Sequence, residues 1–243
     1  MRYFAFPAFV LLVTNLVLRF IHGPDPIPQL PRLMLWAWES PQDLRFVPPG
    51  KAGIAFLAQT IWLNGERVRS RPRLQPLRFN PGTDLVAVVR FESEGKGLPP
   101  QAEVIREIAP VLKIAGIRAL QIDFDARESE HQWYAGLLRE LRQTIPSSLP
   151  LTITALESWC EADGWINHLA VADATPMLFR MGPGENRSPT HFPPRICGSS
   201  IGVSTDELPA RVPKAQRIYV FHPGPWTKQA YDAVVAEAAR WFR

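Results

Sequence analysis

Apolar and polar positions alternate along this chain in short runs, and the sharpest run is Ala119-Leu120-Gln121-Ile122-Asp123-Phe124-Asp125. Successive side chains of a strand point to opposite faces, so Leu120, Ile122 and Phe124 share one face and Gln121, Asp123 and Asp125 the other. The apolar face suits packing against helices. The polar face is unusual, because a strand that leads directly into a helix normally belongs to a parallel sheet buried on both sides. A buried carboxylate without partners is costly, so two of them require a cation, hydrogen-bond donors or solvent. At roughly 3.3 Å of rise per residue, the two aspartates stand about 6.6 Å apart, with Asp125 nearer the carboxyl end. One reading is a functional site. The other is a structural ion pair, with Arg90 on a neighbouring strand or Arg127 on the following turn as the cation.

Seven further runs have the length of strands: Leu33–Trp38, Gly53–Thr60, Leu85–Phe91, Leu151–Ala155, Thr175–Arg180, Ile196–Val203 and Arg217–Phe221. Helical periodicity lies between several of them. Gln101–Ala115 carries Val104, Ile105, Ile108, Val111 and Leu112 on one face, with Gly116 placed as a C-cap. Glu128–Thr144 repeats the pattern and stops before Pro146, Ser158–Leu169 is shorter, and Thr227 is positioned to cap a helix running to Phe242. Eight strands alternating with helices or loops over about 210 residues predict a small (β/α)8 barrel. It is partly degenerate, since 40–51 and 182–195 are rich in proline and glycine and 61–79 reads as a hairpin. An open doubly wound sheet is the alternative, but no glycine-rich phosphate loop follows any strand.

Residues 1–23 are almost wholly apolar and read as a signal peptide or an uncleaved membrane anchor, although Pro7 and Asn15 interrupt the run. Residues 24–31 read as a stiff proline-rich linker, which leaves 32–243 as the barrel domain. The expected location is periplasmic, either exported or anchored to the inner membrane. A composition of 46% apolar and 21% charged residues is that of a globular protein. Residues 1–23 hold Arg2 and Arg19 and no acid, which leaves 25 basic against 23 acidic groups in the remainder. No basic cluster is interleaved with aromatics, which argues against nucleic acid as a partner.

Barrel chemistry gathers at the carboxyl ends of strands. Those ends carry Trp36, Trp38 and Glu39; Arg90 and Glu92; Asp123, Asp125 and Arg127; Glu157 and Trp159; Arg180; and His222 and Trp226. Carboxylates suit acid–base work and indoles suit stacking on the apolar face of a sugar ring. Asp125 is the leading acid/base candidate, Asp123 would orient it, and Glu92 or Glu157 would be the second carboxylate. The aromatic and basic residues, with Glu39, would bind substrate. The five histidines form no metal-ligand pair, so a zinc hydrolase is disfavoured; an oxygen-ligated divalent ion between Asp123, Asp125 and Glu92 stays open. Cys197-Gly198-Ser199-Ser200 is not a nucleophile elbow. No cofactor is called for. Cys160 and Cys197, placed on the fifth and seventh strands, are expected to be buried free thiols because those strands are not neighbours.

Leu35-Trp36-Ala37-Trp38-Glu39, Gln121-Ile122-Asp123-Phe124-Asp125-Ala126-Arg127, Leu151-Thr152-Ile153-Thr154-Ala155-Leu156 and Pro176-Met177-Leu178-Phe179-Arg180-Met181-Gly182 resemble a bacterial family, domain of unknown function 3142. That likeness implies a relative and no mechanism. A more distant likeness is to barrel glycoside hydrolases, in particular chitinases, whose fourth strand carries D-x-x-D-x-D-x-E. Asp123 and Asp125 stand at its second and third acids, Leu120 at the first and Arg127 at the catalytic glutamate. The likeness implies a barrel acting on carbohydrate but not the chitinase proton donor. A non-catalytic barrel binding a glycan or a protein of the cell envelope is the alternative.

Overall fold

A computed structural model describes residues 25–161, 164–179, 191–209 and 211–242. Eight parallel strands close into a barrel: β1 (Leu33–Ala37), β2 (Gly53–Asn64), β4 (Leu85–Ser93), β5 (Ile117–Asp123), β6 (Leu151–Leu156), β7 (Asp173–Met177), β8 (Ser200–Ser204) and β9 (Arg217–Phe221). Each pairs with its neighbours in sequence, and β1 closes the ring against both β9 and β2. A ninth strand of this sheet, β3 (Arg67–Pro72), folds back antiparallel on the second half of β2, so 61–79 begins as the hairpin its sequence suggests; Gln42–Asp43 and Leu77–Arg78 form a separate two-stranded pair. The expected TIM-like barrel is therefore the fold.

Helices cover only part of it. Helix α1 (Gln101–Ile108) is shorter than its periodicity predicts because Pro110 cannot continue the hydrogen-bond ladder, and a 3-10 turn at Val111–Lys113 follows. Helix α2 (His131–Thr144) buries Tyr134, Leu137, Leu138 and Leu141 and ends where Pro146 forces Ile145 into extended backbone. The predicted helix 158–169 divides into α3 (Glu157–Glu161) and a 3-10 turn at Trp165–His168. Helix α4 (Lys228–Trp241) is capped as expected, Thr227 Oγ1 accepting from the Ala230 N–H at 3.1 Å. These pieces press on the outer sheet face through one continuous apolar layer containing Leu120, Ile122 and Leu151.

The barrel interior is divided. Met34, Trp36, Ala55, Val86 and Val88 make one apolar wall with Ala119 and Tyr219. Opposite it, alternation turns Gln121, Asp123, Thr152, Thr154, Asp173, Thr175, Ser200 and Arg217 inward, all of them buried. Gly202 lies opposite Trp36, whose Cη2 would stand 2.8 Å from a Cβ there, so this glycine makes room for the indole.

Residues 25–31 do not behave as a spacer. Ile27 and Leu30 are buried, and Arg217 reaches across the amino end of the barrel to Asp25 Oδ2 (2.9 Å) and the carbonyls of Ile27 (2.7 Å), Leu30 (3.2 Å) and Pro31 (3.0 Å). They close that end. The leader reading falls on residues outside the described ones; among those described, no helix is long and apolar enough to cross a membrane.

The expectation of two free thiols is wrong. Cys160 and Cys197 form a disulfide with their Cα atoms 5.9 Å apart. Neither residue lies on a barrel strand: Cys160 is in α3 and Cys197 in a 3-10 turn ahead of β8. Connections outside the sheet can approach where the strands they join cannot. Closing 37 residues of chain contributes about 2–4 kcal/mol by restricting the unfolded state.

Candidate functional site at the carboxyl end of the barrel

Opposite the closed end is a pocket of about 350 Å³, lined by Trp36, Trp38, Arg90, Asp123, Asp125, Thr154, Leu156, Met177, Phe179, Phe221 and Pro223. Parallel strands all deliver their carboxyl ends to one side, so β1, β4, β5, β6, β7 and β9 each contribute a residue at or just past their last turn.

Asp123 is the last residue of β5 and sits at the pocket floor, only 6% exposed. Its Oδ1 accepts from Thr154 Oγ1 at 2.7 Å and its Oδ2 from Arg90 Nη1 at 3.3 Å. Both partners are cross-strand neighbours: Arg90 is in direct register with Asp123, and Thr154 follows from the Gln121–Thr152 pairing two residues earlier. Burial pushes the Asp123 carboxyl above its ordinary range, while the Arg90 guanidinium and the Thr154 hydroxyl hold it back. Arg90 also donates from Nε to Glu92 Oε1 (3.1 Å) and stands 5.6 Å from the Trp38 ring centroid.

Asp125 lies beyond the end of β5, in the loop before α2, and not on the strand as the alternation suggested. It nevertheless lines the pocket, open to solvent at its mouth. Partial burial raises its pKa and Arg90 opposes the rise. Among the described residues it has no hydrogen-bond partner, so its oxygens are available to a ligand.

Aromatic rings form the opposite wall. Phe179 and Phe221 lie parallel with centroids 5.7 Å apart, and Trp38 meets Phe221 edge-on at 6.3 Å. Trp36 makes the floor: it stacks on Tyr219 at 5.3 Å and donates from Nε1 to Gln121 Oε1 at 3.0 Å. Nothing in the sequence assigns Phe179, Phe221 and Met177 to the site, because an apolar residue at a strand end reads as core. The only available signal was their parity with the inward-facing residues of the same strands.

Other residues expected at the site lie elsewhere. Trp226 is buried beneath Trp36, donating from Nε1 to its carbonyl at 2.8 Å, and Trp159 packs outside the sheet against His131 and Trp165. Glu157 is buried in α3 and does not line the pocket. Glu39 pairs with Arg71 at 2.6 Å, and Glu92 stands on the wall above Arg90. Arg127 turns towards Glu130. His222 bonds Thr205 Oγ1 through Nδ1 at 2.7 Å and lines a neighbouring groove. Arg180 lies outside the described residues. Among the described residues no group of three His, Cys, Asp or Glu is placed to hold a metal ion. The basic Arg90 occupies the space between Asp123 and Glu92 that such an ion would need.

Fold and pocket thus define a small TIM-like barrel with a carboxylate and aromatic pocket at its carboxyl end. Residues 82–179 match the family model described as "Domain of unknown function (DUF3142)". That stretch runs from the start of β4 to Phe179 and includes Arg90, Asp123, Asp125 and Thr154. Neither the curated proteins nor the solved structures contain a match to the chain.

Proposed function

We propose that this barrel acts on an extracytoplasmic carbohydrate as a glycoside-hydrolase-like enzyme, with Asp125 as proton donor and Asp123 as its positioning partner. The observation that carries the reading is the pocket: two neighbouring carboxylates face a wall formed by Trp38, Phe179 and Phe221. Rings supply stacking surface for the apolar face of a sugar, and a carboxyl with a raised pKa can hold a proton for transfer to a leaving oxygen. Asp123, fixed by Thr154 and Arg90, sets the floor of the pocket beside Asp125. The Cys160–Cys197 bridge supports an oxidising compartment and hence export.

Asp125→Asn keeps the shape and removes the transferable proton. Turnover of an oligosaccharide substrate should fall at least about a hundredfold, with the denaturation midpoint nearly unchanged. Full activity in a folded Asp125→Asn protein would remove Asp125 from the chemistry. A second reading, glycan binding without catalysis, is favoured by one observation: Asp123 spends both oxygens on Thr154 and Arg90, which leaves Asp125 as the one lining carboxylate with open oxygens. Under that reading the variant loses affinity and there is no turnover to lose.

A further inference from the structure

Strand register carries the pocket beyond its own lining. Asp123 pairs with Arg90, Arg90 with Thr60, and Thr60 with Arg71, so these four residues form one row across β5, β4, β2 and β3. Residues paired in register face the same side of a sheet, so Arg71 and Asp123 look the same way. The next row, nearer the rim, is Glu92, Trp62 and Arg69. At about 4.8 Å between strands, Arg71 stands about 14 Å from Asp123 along the row.

This wall rises above the rim because β2 runs on for twelve residues while β1 pairs only with its first four. Two guanidinium groups cover the Trp62 indole, Arg69 at 4.5 Å and Arg71 at 5.5 Å from the ring centroid. The wall is held in place. Arg73, just past β3, donates from Nη1 to the Trp38 carbonyl (2.5 Å) and from Nη2 to that of Ser40 (2.7 Å), while Arg71 grips Glu39. It therefore stands against the segment that carries Trp38 into the pocket.

Charge on the wall is unbalanced. Arg67, Arg69 and Arg71 project from one face of β3, and Arg90 adds a fourth cation. Glu39 answers Arg71 and Glu92 answers Arg90; Arg67 and Arg69 have no carboxylate partner among the described residues. Stacking on Trp62 fixes the plane of Arg69 and leaves its N–H edge free, the geometry that receives a carboxylate or sulfate in a fork.

We infer that the ligand is an acidic glycan: one sugar occupies the pocket over Asp125, and the chain continues across Trp62 with anionic groups on Arg69 and Arg67. This rests on the carbohydrate reading above and adds the substrate's charge and the path of the chain. A duplex or single-stranded nucleic acid is the lesser fit, because the stripe is three arginines on one short strand.

The test is calorimetric titration of the whole domain with length-matched oligosaccharides, galacturonate oligomers against neutral galactose oligomers, and with a single-stranded oligonucleotide. Acidic chains should bind about tenfold or more tighter than neutral ones at low salt, and the ratio should shrink as screening rises. Arg69→Gln should lower that ratio about fivefold or more, whereas Arg118→Gln, the same charge change at the amino end of β5, should leave it as it was. Equal affinity for acidic and neutral chains overturns the inference and leaves the carbohydrate reading standing. A ratio unaffected by Arg69→Gln, or oligonucleotide bound as tightly as the acidic glycan, also overturns it. Failure of both sugar classes to bind at millimolar concentrations overturns the inference and the carbohydrate reading together.

Discussion

At the amino end of the barrel Arg217 is wholly buried, and its guanidinium serves Asp25 and three backbone carbonyls. At the carboxyl end Arg90 is about a third exposed; Nη1 is given to Asp123 and Nε to Glu92, and Nη2 meets no protein acceptor among the described residues. Both ends therefore hold an arginine against an aspartate, with a second aspartate near by: Asp173 below and Asp125 above. The difference lies in saturation. A cation with all three nitrogens engaged holds chain to chain, while one with a nitrogen left over and water beside it can still accept a ligand. Residue type alone does not separate the structural ion pair from the functional one.

The largest effect should come from Arg217→Met. It strips the partner from Asp25 and orphans the carbonyls that close the barrel, a loss of the size seen when one member of a buried pair is removed, about 3–5 kcal/mol. Urea unfolding measures it, and a midpoint within error of wild type would mean the clamp is not structural. Arg90→Met should cost less, about 2 kcal/mol, because solvent already reaches that guanidinium and can rehydrate Asp123. If Arg90→Met costs as much as Arg217→Met, the two ends are alike and the contrast fails.

The smallest step, read one pH unit at a time, is a change of slope with pH. Burial raises the Asp173 carboxyl to about 7, against the pull of the Ser200 hydroxyl and Arg217. Its oxygens and Ser200 Oγ have no partner at ordinary hydrogen-bond distance among the described residues. A carboxyl whose pKa is higher folded than unfolded favours the folded state at low pH. That contribution is complete below about pH 4 and is lost as pH rises towards 7. The stability difference between wild type and Asp173→Asn should therefore shift against wild type by roughly 1 kcal/mol per pH unit over that window. A flat difference would show that Asp173 is ionised in the folded protein, satisfied as Asp123 is.

Much of the barrel was legible in the chain because strand and helix periods survive burial. The run around Asp123 predicts its strand, its inward face and a cation beside it; of the two arginines that could supply it, Arg90 does, at 3.3 Å. Long-range geometry was not legible. Nothing local to Asp25 or Arg217 announces a contact across 192 positions. The cysteines were misjudged for the same reason, since strand order constrains strands and not the turns between them. Phe179 and Phe221 were hidden by their chemistry: a phenyl ring at a strand end is indistinguishable from core until the pocket beside it is seen. Trp159 and Trp226 show the converse, indoles near strand ends that pack away from the opening.

The clamp at the closed end also decides how the molecule can be handled. Asp25 is tied to Arg217, and close by the Arg32 guanidinium lies 4.0 Å from the centre of the Phe242 ring at the end of α4. Both ends of the described chain therefore meet on the side away from the pocket. A surface support, a fusion partner or a peptide bridge joining the two ends would all attach there. The mouth over Asp125 would stay unobstructed in each of these formats, so a circularly permuted or immobilised barrel should present the same opening to a polymer as the free one.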